Sequence, residues 1–145
     1  MQRDDLSSGI ALVGRLLLAA LFILEGVSKL RGYDAAGAYM ARYGVPALLL
    51  PPAIALEVGG GLLIAAGLFA RPAAAALAVF CIAAALLFHN NFADRNQLLH
   101  FEKDLAIAGG LLLLAAFGPG RFRVASLFRM EKTPGTIHAG DKSSP

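Results

Sequence analysis

The chain has 145 residues, of which 57% are hydrophobic and only 16% are charged, and its formal net charge is +3. A soluble domain carries roughly 25% charged residues, so this chain has too few polar groups to cover itself in water, and a soluble enzyme is excluded. The cations are spread between apolar runs without a block rich in Lys and Arg, which argues against a nucleic-acid-binding surface.

Four apolar runs are long enough to cross a bilayer, which takes about 20 helical residues for a hydrocarbon core of roughly 30 Å. They cover about residues 9–30, 46–69, 72–89 and 100–117. Backbone groups in lipid must be satisfied within the segment, and the runs are too long and too rich in Ala and Leu for barrel strands. The sequence therefore predicts an all-α integral membrane protein, a four-helix bundle formed by residues 1–120.

Turn and helix-end signals separate the runs. Pro51–Pro52 predicts a kink or a late start of the second helix, because proline removes a backbone donor. Arg71–Pro72 predicts a tight turn between the second and third helices, which would make them antiparallel neighbours. Gly118-Pro119-Gly120 predicts the end of the fourth helix.

Two further segments lie outside the spans. Tyr33, Tyr39 and Tyr43 crowd the stretch 31–45, and tyrosine favours the headgroup region, so we expect an interfacial helix or a re-entrant turn there. The tail, residues 121–145, begins with basic and aromatic residues and then becomes polar. That composition predicts a disordered cytoplasmic tail.

The distribution of cations predicts the topology. With four spans, both termini and the 71–72 turn share one side of the membrane. That side carries seven cations, Arg3, Arg71, Arg121, Arg123, Arg129, Lys132 and Lys142. The other side carries five, Lys29, Arg31, Arg42, Arg95 and Lys103. The positive-inside rule therefore predicts that both termini are cytoplasmic.

Ionisable residues inside a span cost a few kcal/mol each and mark pairing or functional positions. On the first helix, Arg15, Leu18, Phe22, Glu25 and Lys29 follow one another at steps of three and four. At 100° per residue they fall within an arc of roughly 80°. We therefore expect this face to point into the bundle.

Glu57 is the single charge of the second span and lies near its middle. Gly59-Gly60-Gly61 follows it, which would let another helix or a ligand approach closely. We expect the carboxylate to pair with Arg15. A proton relay or ligand anchor and an ion pair that only fixes packing both stay open.

More polar groups should gather at the opposite membrane boundary, because antiparallel spans bring Glu25, Lys29 and Lys103 to the same side. His89, His100 and Asp104 belong to the same boundary as secondary candidates. The two histidines have neither short spacing nor an i,i+4 relation, so no metal site is predicted. Cys81 is the single cysteine, so it has no dithiol partner and is expected to be a small core- or lipid-facing residue.

Four motifs, in their order along the chain, resemble those of the DoxX family. They are Arg15 with Gly26-Val27-Ser28-Lys29-Leu30, then Glu57-Val58-Gly59-Gly60-Gly61 with Gly67-Leu68, then Lys103-Asp104-Leu105-Ala106-Ile107-Ala108-Gly109-Gly110, and Gly118-Pro119-Gly120. The resemblance covers about residues 9–128 and implies a four-helix protein of the bacterial inner membrane. By motif match, the family-like polar positions are Arg15, Glu25, Lys29, Glu57 and Lys103.

The resemblance also implies a functional setting. Some relatives, the DoxD-type proteins, are subunits of thiosulfate:quinone oxidoreductases, and others are linked to membrane redox and oxidative-stress complexes. It implies an accessory subunit of a quinone-linked system. The sequence supplies no intrinsic electron carrier, so redox chemistry would need a bound quinone or a redox partner protein. The sequence shows no self-contained catalytic motif, so whether the chain is itself an enzyme stays open. A proton or small-solute transporter, a non-catalytic scaffold and a homo-oligomer stay open as well.

Overall fold

The computed structural model describes residues 2–122, and the predicted tail lies outside the described residues from position 123 onward. Five α-helices follow one another, namely α1 (Gln2–Arg31), α2 (Tyr33–Arg42), α3 (Leu50–Ala66), α4 (Ala70–Phe88) and α5 (Arg95–Phe117). A short 3-10 turn, Ala47–Leu49, leads into α3. No strand occurs within residues 2–122. The prediction of an all-α membrane protein with four long helices is confirmed, and α2 is a short fifth helix.

Three segments are long and apolar enough to cross a membrane, Asp5–Arg31, Ala47–Ala66 and Ala70–Phe88. α5 has 23 residues, which is sufficient length, but Glu102, Lys103 and Asp104 lie in its N-terminal half. It also begins at Arg95, five residues before the predicted span, with Asp94 as its N-cap accepting from the backbone N–H of Asn96. A fourth crossing by residues 100–117 stays a prediction.

The four long helices pack side by side in the order α1, α3, α4, α5. α1 packs against α3, α3 against α4, and α4 against α5, whereas α1 and α5 touch only sparsely. The buried centre is apolar and includes Phe22, Ile64, Leu77 and Leu111. The bundle is therefore tightly packed at these three helix–helix interfaces and loosely packed at the fourth, between α1 and α5.

The glycines after Glu57 allow this tight packing, as the sequence predicts. A Cβ on Gly61 would lie 2.8 Å from a side-chain carbon of Ile23 and 3.1 Å from the carbonyl oxygen of Ala19, both on α1. A Cβ on Gly60 would lie 2.9 Å from Leu77 on α4. Gly60 and Gly61 thus set the close approach of α3 to its two neighbours, while Gly59 faces open space.

The turn between α3 and α4 differs from the prediction. It lies at residues 67–69, where Gly67 has φ 69° and Phe69 has φ 46°. Arg71 and Pro72 belong to the first turn of α4, so their assignment to the turn is wrong. Proline fits a first helical turn because a backbone N–H there has no intrahelical partner to lose.

The remaining helix-end signals act as predicted. α3 begins at Leu50, directly before Pro51–Pro52, so the late start is confirmed. α5 ends at Phe117, and the positive φ of Gly118, 83°, changes the direction of the chain after the helix. The stretch that holds the tyrosines forms a regular helix, α2, rather than a re-entrant turn.

Candidate functional site: a cavity with converging polar groups

A cavity of about 860 Å³ lies between the helices at the end of the bundle where α1 ends and α5 begins. All five helices contribute to its lining. Its walls are mostly apolar and include Leu21, Leu56, Phe80 and Leu87. Its polar lining includes Glu25, Lys29, Glu57, His89, Gln97, His100, Lys103 and Asp104. The structure therefore gathers, around one cavity, the polar residues predicted for this end of the bundle.

The centre of the polar lining is an ion pair between α1 and α3. Lys29 Nζ donates to Glu57 Oε1 at 2.7 Å and lies 3.6 Å from Glu25 Oε2. The side chain of Glu57 is 4% exposed, that of Lys29 30% and that of Glu25 59%. The second carboxylate oxygen of Glu57, Oε2, is buried and has no hydrogen-bond partner among the described residues. The exposed Glu25, the partly exposed Lys29 and the buried Glu57 thus connect the protein surface with a buried acceptor at the cavity.

A second polar group forms where α4 ends and α5 begins. His89 Nδ1 lies 3.0 Å from Gln97 Oε1, so the ring N–H donates to the amide oxygen. His89 Nε2 lies 3.8 Å from Asp104 Oδ2. The ring of His89 stacks on that of His100, with centroids 5.0 Å apart. The imidazole of His89 is thus held between an amide, a carboxylate and a second imidazole.

The partner of His100 defines its tautomer. Lys103 Nζ lies 3.3 Å from His100 Nδ1. An ammonium group only donates, so Nδ1 must accept and the proton of the neutral ring sits on Nε2. His100 and Lys103 therefore supply donors at the cavity, whereas Glu57 supplies an acceptor.

Aromatic side chains of α2 cover the end of α4 beside the cavity. The ring centroids of Tyr39 and Tyr43 are 5.0 Å apart, and those of Tyr39 and Phe88 are 5.6 Å apart. Burial and, to a smaller extent, the neighbouring Tyr43 hydroxyl raise the pKa of Tyr39 to about 12. Gln97 Nε2 donates to the Tyr43 hydroxyl at 3.3 Å. This contact links α2 to the histidine group of α5.

The predicted pair of Arg15 with Glu57 is wrong. Arg15 is buried at the other end of the bundle, where it donates to the carbonyl oxygens of Pro119 at 2.7 Å and Ala65 at 3.2 Å. Its level on α1 explains this. A Cβ on Gly26 would lie 3.2 Å from Glu57 Cβ, and Arg15 lies eleven residues earlier, about 16 Å along the helix axis. Arg15 therefore connects α1 to the ends of α3 and α5.

The polar residues predicted for the interior of the bundle thus separate into two groups. Glu25, Lys29, Glu57 and Lys103 line the cavity with the secondary candidates His89, His100 and Asp104, whereas Arg15 does not. Gln97 was not anticipated, although it lies three residues before His100 and seven before Asp104 and so shares their helical face. This i, i+3, i+7 spacing is the signal that could have found it.

Cys81 lies in the middle of α4, is buried, and forms part of the lining. Within residues 2–122, no group of three His, Cys, Asp or Glu residues is arranged to hold a metal ion. The chemistry that the described side chains offer at the cavity is hydrogen bonding and proton exchange. Donors come from Lys29, His100 and Lys103, and acceptors come from the carboxylates.

Comparison with known proteins gives a consistent picture. The family model described as DoxX matches residues 10–90. Inner membrane protein YqjF of Escherichia coli K12 is 46% identical over 116 residues, which cover 80% of this chain and 89% of that protein. Inner membrane protein YphA of the same organism is 34% identical over 118 residues, which cover 77% of this chain and 84% of that protein. No solved structure matches the chain significantly. The family match, together with these two relatives, shows that the chain belongs to the DoxX family.

Proposed function

We propose that this protein is an accessory subunit of a quinone-linked redox system in the bacterial inner membrane, and that its cavity receives a quinone headgroup. The cavity itself is the observation that carries the proposal. Its volume of about 860 Å³ and its apolar walls with a few converging polar groups are typical of a small-molecule site. The inner-membrane location is supported by the names of the two relatives, and the cation count favours cytoplasmic termini.

The chemistry of the lining fits such a molecule. A quinone combines a flat polar head with a long apolar tail. His100 Nε2–H and Lys103 are donors suited to the oxygen atoms of the head. The apolar tail of the quinone can extend out of the cavity between α1 and α5, because these two helices make few contacts with each other. The side chains of the cavity would thus orient the head, while the apolar walls exclude water from it.

The role is accessory because electrons must come from elsewhere. A bound quinone supplies two-electron redox chemistry, whereas Cys81 has no second thiol with which to form a redox pair. A partner protein would therefore deliver or accept the electrons. Lys29, Glu57 and Glu25 would exchange protons between the cavity and the membrane surface, because they form a contact chain from buried to exposed.

Quinone retention tests the proposal. The protein is purified in mild detergent, its lipids are extracted, and quinone is quantified per protein by mass spectrometry. Ala84 lines the cavity, so Ala84→Phe fills part of it, while Ala76→Phe places the same ring on an exposed position of α4 outside the cavity. We expect quinone with the unmodified chain and with Ala76→Phe, and its loss with Ala84→Phe. Absence of quinone throughout, or equal retention in both variants, would contradict the proposal.

The accessory role has its own assay. Thiosulfate-dependent quinone reduction is measured in membrane vesicles from a host that carries or lacks the chain, with its partner proteins present. We expect the rate to fall when the chain is missing and to return with the Ala76→Phe variant, but not with Ala84→Phe. If the rate does not depend on the presence of the chain, the protein has no accessory role in this reaction. Quinone binding would then be decided by the retention experiment alone.

One observation favours a second function, proton movement across the bundle. Lys29 contacts both the buried Glu57 and the exposed Glu25, so these three charged groups connect a buried position to the surface. Proton flux into liposomes containing the protein, abolished by Glu57→Gln without any added quinone, would favour this transporter-like function over the accessory role.

A further inference from the structure

One polar atom of the cavity has no hydrogen-bond partner within residues 2–122. Glu57 lines the cavity, and its Oε2 is buried without a hydrogen bond among the described residues. Leaving such an atom unsatisfied is costly, and a specific unpaired group in a native site marks a place for a missing partner. The terminal torsion of a glutamate side chain is broad, so the carboxylate of this lining residue can rotate toward a ligand in the cavity.

The partner of the other oxygen determines what this atom can bind. Lys29 Nζ donates to Oε1 at 2.7 Å, and an ammonium group has no acceptor. The contact with Lys29 stabilises the ionised form of the carboxylate, and an ionised carboxylate only accepts. Oε2 therefore needs a donor, and a ligand that offers only acceptors leaves it unpaired.

We infer that Glu57 selects ligands that present a hydroxyl donor, so that the reduced, dihydroxy form of a quinone binds in preference to the oxidised dione. This inference rests on the proposed function and adds the redox state that the site favours. The donors at the other side of the cavity, His100 and Lys103, do not discriminate, because a hydroxyl oxygen and a carbonyl oxygen both accept. Among the carboxylates of the lining, Glu57 is the one with a buried oxygen that has no hydrogen-bond partner among the described residues, so we expect it to determine the discrimination.

Substitution by glutamine should abolish the preference. Lys29 would still donate, so the amide oxygen of the glutamine must face Lys29, and its NH₂ group would then replace Oε2. A donor toward the cavity does not discriminate between the two forms, because a hydroxyl oxygen and a carbonyl oxygen both accept. Glu102→Gln is the matched control, because Glu102 is exposed on α5 and does not line the cavity.

The test uses two redox-inert probes with the same alkyl tail, a 4-alkylphenol and the corresponding 4-alkylanisole. In the anisole a methyl group replaces the hydroxyl hydrogen, so the probe can no longer donate, and both affinities are measured by calorimetry on the full chain in detergent. We expect the phenol to bind at least about tenfold more tightly than the anisole, because the anisole leaves a buried acceptor unpaired. The ratio should fall toward one with Glu57→Gln and stay unchanged with Glu102→Gln. Because it is a ratio, it does not depend on the folded fraction.

Equal affinities for the two probes in the unmodified chain, or an unchanged ratio with Glu57→Gln, would overturn the inference. Neither result touches the proposed function, which is decided by quinone retention in Ala84→Phe against Ala76→Phe. Conversely, a phenol preference that Glu57→Gln abolishes would support the inference even where no quinone copurifies with the chain.

Discussion

The contact between Lys29 and Glu57 predicts a coupling energy that can be measured with a double-mutant cycle. Lys29→Met removes the single described hydrogen-bond donor to the Glu57 carboxylate, whose side chain is 4% exposed. Breaking a buried pair costs about 3–5 kcal/mol. Lys29 itself is 30% exposed, and solvent weakens the pair, so we expect a loss of about 2–3 kcal/mol in the free energy of unfolding.

The reciprocal change should cost less. Glu57→Met leaves an ammonium group that still has Glu25 at 3.6 Å and partial access to solvent. The free energy of unfolding should then change by about 1 kcal/mol or less. With both replaced by Met, no charge is left unpaired, and we expect the double variant to lie within about 1 kcal/mol of the unmodified chain. The cycle should therefore give a coupling energy of about 2 kcal/mol.

Arg15 supplies the control cycle. It lies at the other end of the bundle and shares no partner with Glu57, so Arg15→Met and Glu57→Met should be additive within about 0.5 kcal/mol. Unfolding is followed by circular dichroism during titration with a denaturing detergent, because the chain has no Trp for fluorescence. Additive losses for Lys29 and Glu57, or coupling between Arg15 and Glu57 above about 1 kcal/mol, would refute the assignment of the pair.

Three further predictions concern packing and topology. Gly61→Ala should destabilise the bundle by about 1–3 kcal/mol, because the added carbon meets the α1 backbone and side chains. Gly59→Ala, at an open position, should not destabilise it, and equal losses in thermal unfolding would contradict this packing. Cys81→Ala should cost about 1 kcal/mol of stability and leave quinone retention unchanged, since the thiol is a small buried group; lost retention in a folded variant would assign it a functional role. Reporter fusions at Gly120 and Arg95 should report opposite compartments, and a shared compartment would contradict four spans.

Local chemistry in the sequence was enough to predict the helices and most of their ends. Long apolar runs can satisfy their backbone groups in lipid only as helices, and the four long helices follow from that. Pro51–Pro52 and Gly118 act locally on the backbone, so their effects on α3 and α5 were predictable. Pro72 was misplaced because a proline before a helix and one in its first turn have the same local signature.

The partners of the charged residues depended on tertiary structure. The sequence shows that Arg15 and Glu57 lie in apolar surroundings and must be satisfied, but either could pair with any group that the packing brings near. Which groups pair with Arg15 and Glu57 depends on the axial offset between α1 and α3. Gly26 and Gly61 set that offset by their close approach across the seam, which places Lys29 at Glu57 and Arg15 at the end of α3. The cavity likewise depends on side chains from five helices, and no single segment of the sequence encodes it.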